Sequence, residues 1–244
     1  MDNFTYKGYD VEIHQDDSDH LWDDLRDNND GHMDYFTTYG KWGGYELFDV
    51  EGGSHSQYSG KDDWLLYINS EYDVIEVDEY DISIDGLTEK QETRIQKWID
   101  KNLFILPIYV YEHGGITMST GGYGCQWDSG QAGYIFSDKK RALELTGKKK
   151  MNKAIEKKIY SAMERRIKYV AALCEGSVYG YTWDYGGCGG YVVVDYKADT
   201  EYIVNEVKSE IDYHIKKEVS DHLEHRKKQI KQHIPEVYRQ PLTL

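Results

Sequence analysis

The chain has 244 residues, 39% hydrophobic and 14% aromatic, and a net charge of −15 at pH 7. That length suits one large domain or two small ones, and the apolar share permits a real core. The acidity disfavours nonspecific binding to nucleic acid or to an anionic membrane, and the absence of any 18-residue apolar run excludes a transmembrane helix.

The charge is uneven. Residues 1–100 carry 26 acidic against 7 basic side chains, residues 101–147 are balanced, and residues 148–244 carry 14 acidic against 18 basic. An N-terminal field of this kind suits a basic partner, a divalent cation, or a protein surface that normally holds DNA. Tyrosine outnumbers phenylalanine 23 to 5, which fits sheets with one wetted face or a binding surface, because one end of tyrosine is apolar and the other polar. The first ten residues, MDNFTYKGYD, lack a basic and an apolar region, so no signal peptide is expected. Cys125, Cys174 and Cys188 form no CxxC pair, which reads as a reduced protein without disulfides or a zinc knuckle.

In chain order, the alternation over 5–14, with Tyr9, Val11 and Ile13 on one side, predicts a strand. The polar stretch 15–34 predicts a loop with a helical turn around Trp22 and Leu25. Strands are expected at 45–50 and 64–69, and a third at 73–80, although both of its faces are mixed. Thr88 with Gln91 three residues on is a capping box that opens a helix over 88–102, with Ile95, Trp98, Ile99 and Leu103 on one face. Residues 104–111, FILPIYVY, read as a central strand, against which Pro107 argues because it cannot donate to a ladder.

A segment holding seven glycines follows, YEHGGITMSTGGYGCQWDSGQAGY, from Tyr111 to Tyr134. A strand at 132–136 comes next, then a short helix capped by Ser137 or Asp138 and ended by Gly147. A helix over 149–174 carries Met151, Ile155, Ile159, Met163, Ile167, Val170 and Cys174, and Gly176 ends it. Residues 178–196 read as a hairpin. The last helix, about 200–234, repeats Val204, Val207, Ile211, Ile215, Val219, Leu223, Ile230 and Ile234, and Pro235 stops it. Its length of roughly 50 Å exceeds what a small domain needs, so it wraps the sheet or reaches a partner, such as a second copy. The fold class expected is α+β: a mixed, mainly antiparallel sheet, helices packed towards the C-terminal half, and a long C-terminal helix. The expected division is a single body over 1–198, with an acidic part at 1–100, and a helix and tail over 199–244.

The glycine-rich segment also carries a resemblance. LPIYVYEHGGITMST followed by CQWDSGQAGYIF resembles a widespread family of bacteriophage and mobile-element proteins, whose members read LPLYLYDHSGITMST and then CPWDSGQVGFIY. YDVEIHQDD with LWDDL is similar to that family's first strand followed by WDNL, and VYGYTWD to its VYGYVVE. GGCGGY stands where the family has DSCWGFYG. Gly114 replaces the family's serine, and Gly189 and Tyr191 replace its tryptophan and phenylalanine. The resemblance implies a phage or mobile-element origin and action in the host cytoplasm; it implies no mechanism.

Three constellations bear on chemistry. Cys125 and His113, with Asp128 or Glu112 as orienter, have the residue types of a nucleophile, base and third group, and nearby glycines offer N–H groups to an oxyanion. Equally, Asp128-Ser129-Gly130 is a good turn and Cys125 a small core residue. Asp16, Asp17 and Asp19, flanked by His14 and His20, have oxygen ligands for a cation, but the spacing misses an EF-hand loop and a solvated acidic loop is the plainer reading. His222 and His225 lie at i, i+3 without an obvious third ligand. No glycine string matches a phosphate loop. No cofactor or metal is called for.

The leading expectation is a non-enzymatic, phage-type accessory protein that binds and inhibits a host macromolecule, an anti-defence factor. Its binding residues would be Asp16, Asp17, Asp19, Asp23 and Asp24, together with Trp127 and Ser129. The partner expected is a host protein, such as one that binds nucleic acid, with no direct nucleic acid, no membrane, and a homodimer through the last helix. The alternatives are a hydrolase or transferase centred on Cys125 and His113, and a protein that sequesters a small nucleotide.

Overall fold

A computed structural model describes residues 3–17, 21, 33–37, 41–42, 45–46, 61–76, 86–125 and 127–233. It has the α+β class expected, with antiparallel sheets and a long C-terminal helix. The chain divides into two compact units, Met1–Asp16 with Tyr179–Leu244, and Asp17–Val178.

The first expected strand is two. β1 (Phe4–Tyr6) and β2 (Tyr9–Gln15) pair antiparallel, Tyr6 opposite Tyr9, around a two-residue turn at Lys7-Gly8. Both turn residues have positive φ, 51° and 90°, which matches the twist of the flanking strands. Within β2 the alternation holds: Val11 and Ile13 are buried, while Asp10 and Glu12 are exposed.

In the second unit, β3 (Asp34–Thr37) precedes a small pair, β4 (Lys41–Trp42) and β5 (Tyr45–Glu46). The strand expected at 45–50 is thus present at its first two residues, and the rest lies outside the described residues. So do Trp22 and Leu25 of the expected helical turn. The strand expected at 64–69 is a helix, α1 (Lys61–Tyr72). An apolar run of this length reads equally as strand or helix, and the burial of Trp64, Leu65 and Ile68 follows helical spacing. Asp73, at φ 48°, ends the helix. The Asn69 side chain donates to Ile75 O at 3.2 Å and accepts from Ile75 N at 2.9 Å, so Asp73–Glu76 is a turn. The expected strand at 73–80 is therefore absent over 73–76, and 77–80 lies outside the described residues.

α2 (Glu89–Asn102) begins with the capping box that Thr88 and Gln91 announced and buries Ile95 and Ile99. It runs directly into β6 (Leu103–Glu112), followed by β7 (Ile116–Ser119) and β8 (Ser129–Asp138). The sheet order is β3-β8-β6-β7, antiparallel throughout. Pro107 is tolerated because β7 pairs only with Tyr109–Glu112, which leaves β6 with β8 alone beside Pro107. A register shift between Ile108 and Tyr109 follows at once.

α3 (Lys139–Leu145) is capped by Asp138, and α4 (Lys153–Cys174) by Asn152, whose side chain accepts from the Ala154 and Ile155 N–H groups. Leu103 and Phe136 pack with Trp64, Leu65, Ile68, Ile95 and Ile99 of α1 and α2. The neighbouring Phe104 instead meets Tyr160 of α4, with ring centroids 5.4 Å apart. Successive strand residues point to opposite faces, so α1 and α2 cover one face of the sheet and α4 the other.

The other unit is closed by the end of the chain. β9 (Val178–Trp183) pairs antiparallel with β2, Val11 opposite Trp183 and Gln15 opposite Tyr179, and β10 (Gly186–Val192) completes the order β1-β2-β9-β10. α5 (Tyr196–His233) lays Ile203, Val207 and Ile211 on Val11, Ile13, Tyr181 and Trp183. The Glu210 carboxylate accepts from Tyr181 Oη at 2.7 Å.

The middle of β10 depends on glycine. The Asp16 carboxylate accepts from Gly190 N at 2.8 Å, Gly190 has φ 78°, and a Cβ on Gly189 would collide with that same carboxylate oxygen. Gly189→Ala is expected to expel Asp16 from this bond and to cost about 1–3 kcal/mol. A denaturant midpoint unchanged from wild type would show the contact to be idle.

Candidate functional site

The glycine-rich segment forms the turns at one end of the β3-β8-β6-β7 sheet. β6 ends at Glu112, and the chain reverses through His113-Gly114-Gly115, with His113 N donating to Gly115 O at 3.1 Å. Gly114 stands at φ 75°, a conformation that favours glycine over the serine of the resembling family. Glu112 N donates to Asp128 O at 2.8 Å, and Ser129 Oγ donates to Cys125 O.

These bonds bring His113, Cys125 and Asp128 together. Asp128 Oδ2 lies 3.3 Å from His113 Nδ1 and 3.6 Å from Cys125 Sγ. The carboxylate therefore sits between thiol and imidazole. A thiol nucleophile needs the imidazole as its direct partner, with the carboxylate behind it. Here both groups bond to the carboxylate, an arrangement that fixes the turn. The His113 side chain is 73% exposed and stacks on Tyr111 at 6.3 Å between ring centroids. Trp127 is 94% exposed, and Ser129 spends its hydroxyl on the turn.

Of the acidic loop, Asp16 is bound to the Gly190 amide, and Asp17 is among the described residues. Asp19, Asp23 and Asp24, with His20, lie outside them. Among the described residues no group of three or more His, Cys, Asp or Glu is placed to hold a metal ion. His222 and His225 are exposed, and His225 Nε2 lies 3.0 Å from Gln229 Nε2. Among the described residues no helix is long and apolar enough to cross a membrane.

The sheet β1-β2-β9-β10 holds a feature that the sequence reading passed over. A groove of about 550 Å³ is lined by Asp10, Glu12 and Asp184, with Asn3, Thr5 and Thr182 among its other walls and, among the described residues, no lysine or arginine. Thr5 Oγ1 donates to Asp10 Oδ1 at 2.7 Å, which steadies one carboxylate. Asp10 and Glu12 were legible as the polar positions of an alternating strand. Asp184 had no local signal, because it arrives from the turn between β9 and β10.

Beneath the opposite face of this sheet lies an aromatic cluster. His214 of α5 stacks on Tyr185 at 4.4 Å and meets Trp183 at 5.2 Å and Tyr9 at 6.2 Å. His214 Nε2 lies 3.4 Å from the Glu218 carboxylate. The cluster anchors the middle of α5 to the two strands that carry the groove.

No family model, curated protein or solved structure matches the chain.

Proposed function

We propose that this protein is a non-enzymatic binding protein that takes a basic polypeptide segment of its partner on the groove of Asp10, Glu12 and Asp184. The reading extends to a phage-type accessory factor in the host cytoplasm. There it would block a host protein that binds nucleic acid, an anti-defence role, and self-associate through α5. The observation that carries it is the groove itself: three carboxylates line one concave wall with no cationic side chain beside them among the described residues. Closely spaced carboxylates present the charge density that a basic protein otherwise meets on a nucleic-acid backbone. The family resemblance supports the phage setting, and the acidity of residues 1–100 supports the sign of the partner.

The test is the binding of a fluorescent oligolysine peptide, followed by anisotropy across a salt series. Affinity is expected to fall steeply with salt, and Asp10→Asn with Glu12→Asn and Asp184→Asn to weaken binding roughly 10-fold or more at low salt. Binding that ignores salt, or that survives the triple substitution unchanged, would sink the proposal.

A further inference from the structure

We infer that the solvent face of α4 docks on the phosphate backbone of a nucleic-acid duplex, without reading its sequence. This goes beyond the groove and does not rest on it. Residues 139–168 hold 12 basic side chains against 3 acidic, in a chain whose net charge is −15. The acidity that disfavours nucleic acid for the chain as a whole is concentrated in residues 1–100. The expectation of no direct nucleic-acid contact therefore does not carry over to this stretch. All of it belongs to the Asp17–Val178 unit.

The helix sorts these residues. Ile155, Ile159, Met163 and Ile167 are buried, whereas Lys153, Lys157, Lys158, Arg165 and Lys168 are exposed. At 100° per residue the five cations fall within about 140° of arc, on the side away from the apolar row. Glu164 is the one exposed carboxylate of α4. None of the five cations forms an ion pair among the described residues, so their charge is left to face an outside anion. Three further exposed lysines, at 148–150, extend the field just ahead of the helix.

Length and composition select the partner. From Lys153 to Lys168 the face runs about 22 Å at 1.5 Å per residue, a distance over which a duplex presents about 13 phosphate charges. Between residues 139 and 175 no large apolar or aromatic side chain is exposed among the described residues. The face therefore lacks the apolar anchor that holds a basic helix in a bilayer. It equally lacks a ring on which an unstacked base could lie, so single strands are not favoured. Contacts from lysine and arginine to phosphate oxygens remain, and these position a protein on a duplex without reading base edges.

The test is the anisotropy of a fluorescent DNA duplex of about 20 base pairs, and of an RNA duplex of the same sequence, titrated with the full chain from about 50 mM salt upwards. Binding to either duplex is expected, and the tighter one names the source of the backbone. The logarithm of the association constant should fall linearly with that of the salt concentration, with a slope of about −4.5 for five phosphate contacts. Scrambling the duplex sequence should leave the affinity unchanged. Lys153→Glu with Lys157→Glu, both at exposed positions, is expected to weaken binding roughly 10-fold or more at low salt and to flatten the slope by about 2, with the circular dichroism retained. Lys227→Glu with Lys228→Glu makes the same charge change on α5 and is expected to leave binding unchanged. Equal losses from the two pairs would show that net charge alone is read and would overturn the assignment to α4. So would the absence of duplex binding at low salt. Vesicles of phosphatidylcholine with about 20% phosphatidylserine and oligoglutamate as competitor probe the other anions. Binding to the vesicles alone, or displacement of the duplex by oligoglutamate at equal charge, would overturn the proposal in favour of a membrane or an acidic polypeptide.

Discussion

Replacing Trp64 with alanine lowers the stability of the Asp17–Val178 unit by about 3–5 kcal/mol, the range for truncating a large buried aromatic. Trp64 is 2% exposed and, with Leu65, Tyr67 and Ile68, joins α1 to the sheet. Its ring lies 4.6 Å from that of Tyr134 and 5.3 Å from that of Phe136, both on β8, and 6.3 Å from that of Tyr67 on its own helix. The alanine leaves a cavity bounded by the helix on one side and the sheet on the other, and neither collapses cheaply. Since a domain's whole stability is roughly 5–15 kcal/mol, the variant sits at the edge of folding. Trp127→Ala is the matched control. That side chain is 94% exposed, and its loss shifts stability by no more than about 0.5 kcal/mol. Urea denaturation of the two variants checks the contrast; equal midpoints would mean that α1 does not hold the sheet through Trp64.

A second large effect comes from alkali: the fold is lost as the pH rises between about 9 and 12. Burial pushes the Tyr67 and Tyr72 phenols up to about 12, with smaller contributions from the Glu71 and Asp34 carboxylates. In the other unit burial, then the contact with Cys188, pushes Tyr191 to about 12. Burial, then the hydrogen bond to Glu210, raises Tyr181 further. Burial raises the Cys174 thiol to about 12, helped by Glu175. Each of these groups is neutral when protonated, and each holds its proton more tightly folded than unfolded. Their contribution is therefore complete below the unfolded values of 9.0 for the thiol and 10.0 for the phenols. Above those values the unfolded chain binds fewer protons than the native one, and stability falls until the folded values are reached. Tyrosinate absorbance and circular dichroism followed together check this. The last part of the rise in tyrosinate absorbance should coincide with the loss of dichroism; complete ionisation of the phenols with the dichroism intact would contradict it.

α2, α3 and α4 were the most legible elements, because their ends carry chemistry. Thr88 with Gln91, Asp138, and Gly147 and Gly176 each mark a terminus where a side chain or a left-handed residue satisfies the orphaned backbone. The strands were less so. Residues 64–69 are apolar without a resolving period, and only tertiary packing makes them helical. Residues 5–14 alternate cleanly, yet Lys7-Gly8 turns the chain inside what reads as one strand. The candidate sites divide in the same way. His113, Cys125 and Asp128 were visible as a local cluster, but their order through space, with the carboxylate between the other two, is set by the register of β6 against β8. The acidic groove needs Asp184 beside Asp10, a pairing of opposite ends of the chain that no window of sequence contains.

That pairing of ends sets a timetable for synthesis. The β1–β2 hairpin leaves the ribosome well before β9, and a lone two-stranded hairpin is marginal in water. β2 waits for β9 through the whole of the intervening Asp17–Val178 unit, whose described strands β3 to β8 pair with one another, so that it is free to fold as it emerges. Until β9 arrives, β2 presents an open edge to any other strand, and the outward Asp10 and Glu12 are the kind of charged guard that keeps such an edge from pairing wrongly. The same carboxylates that line the groove in the finished protein thus protect the nascent one.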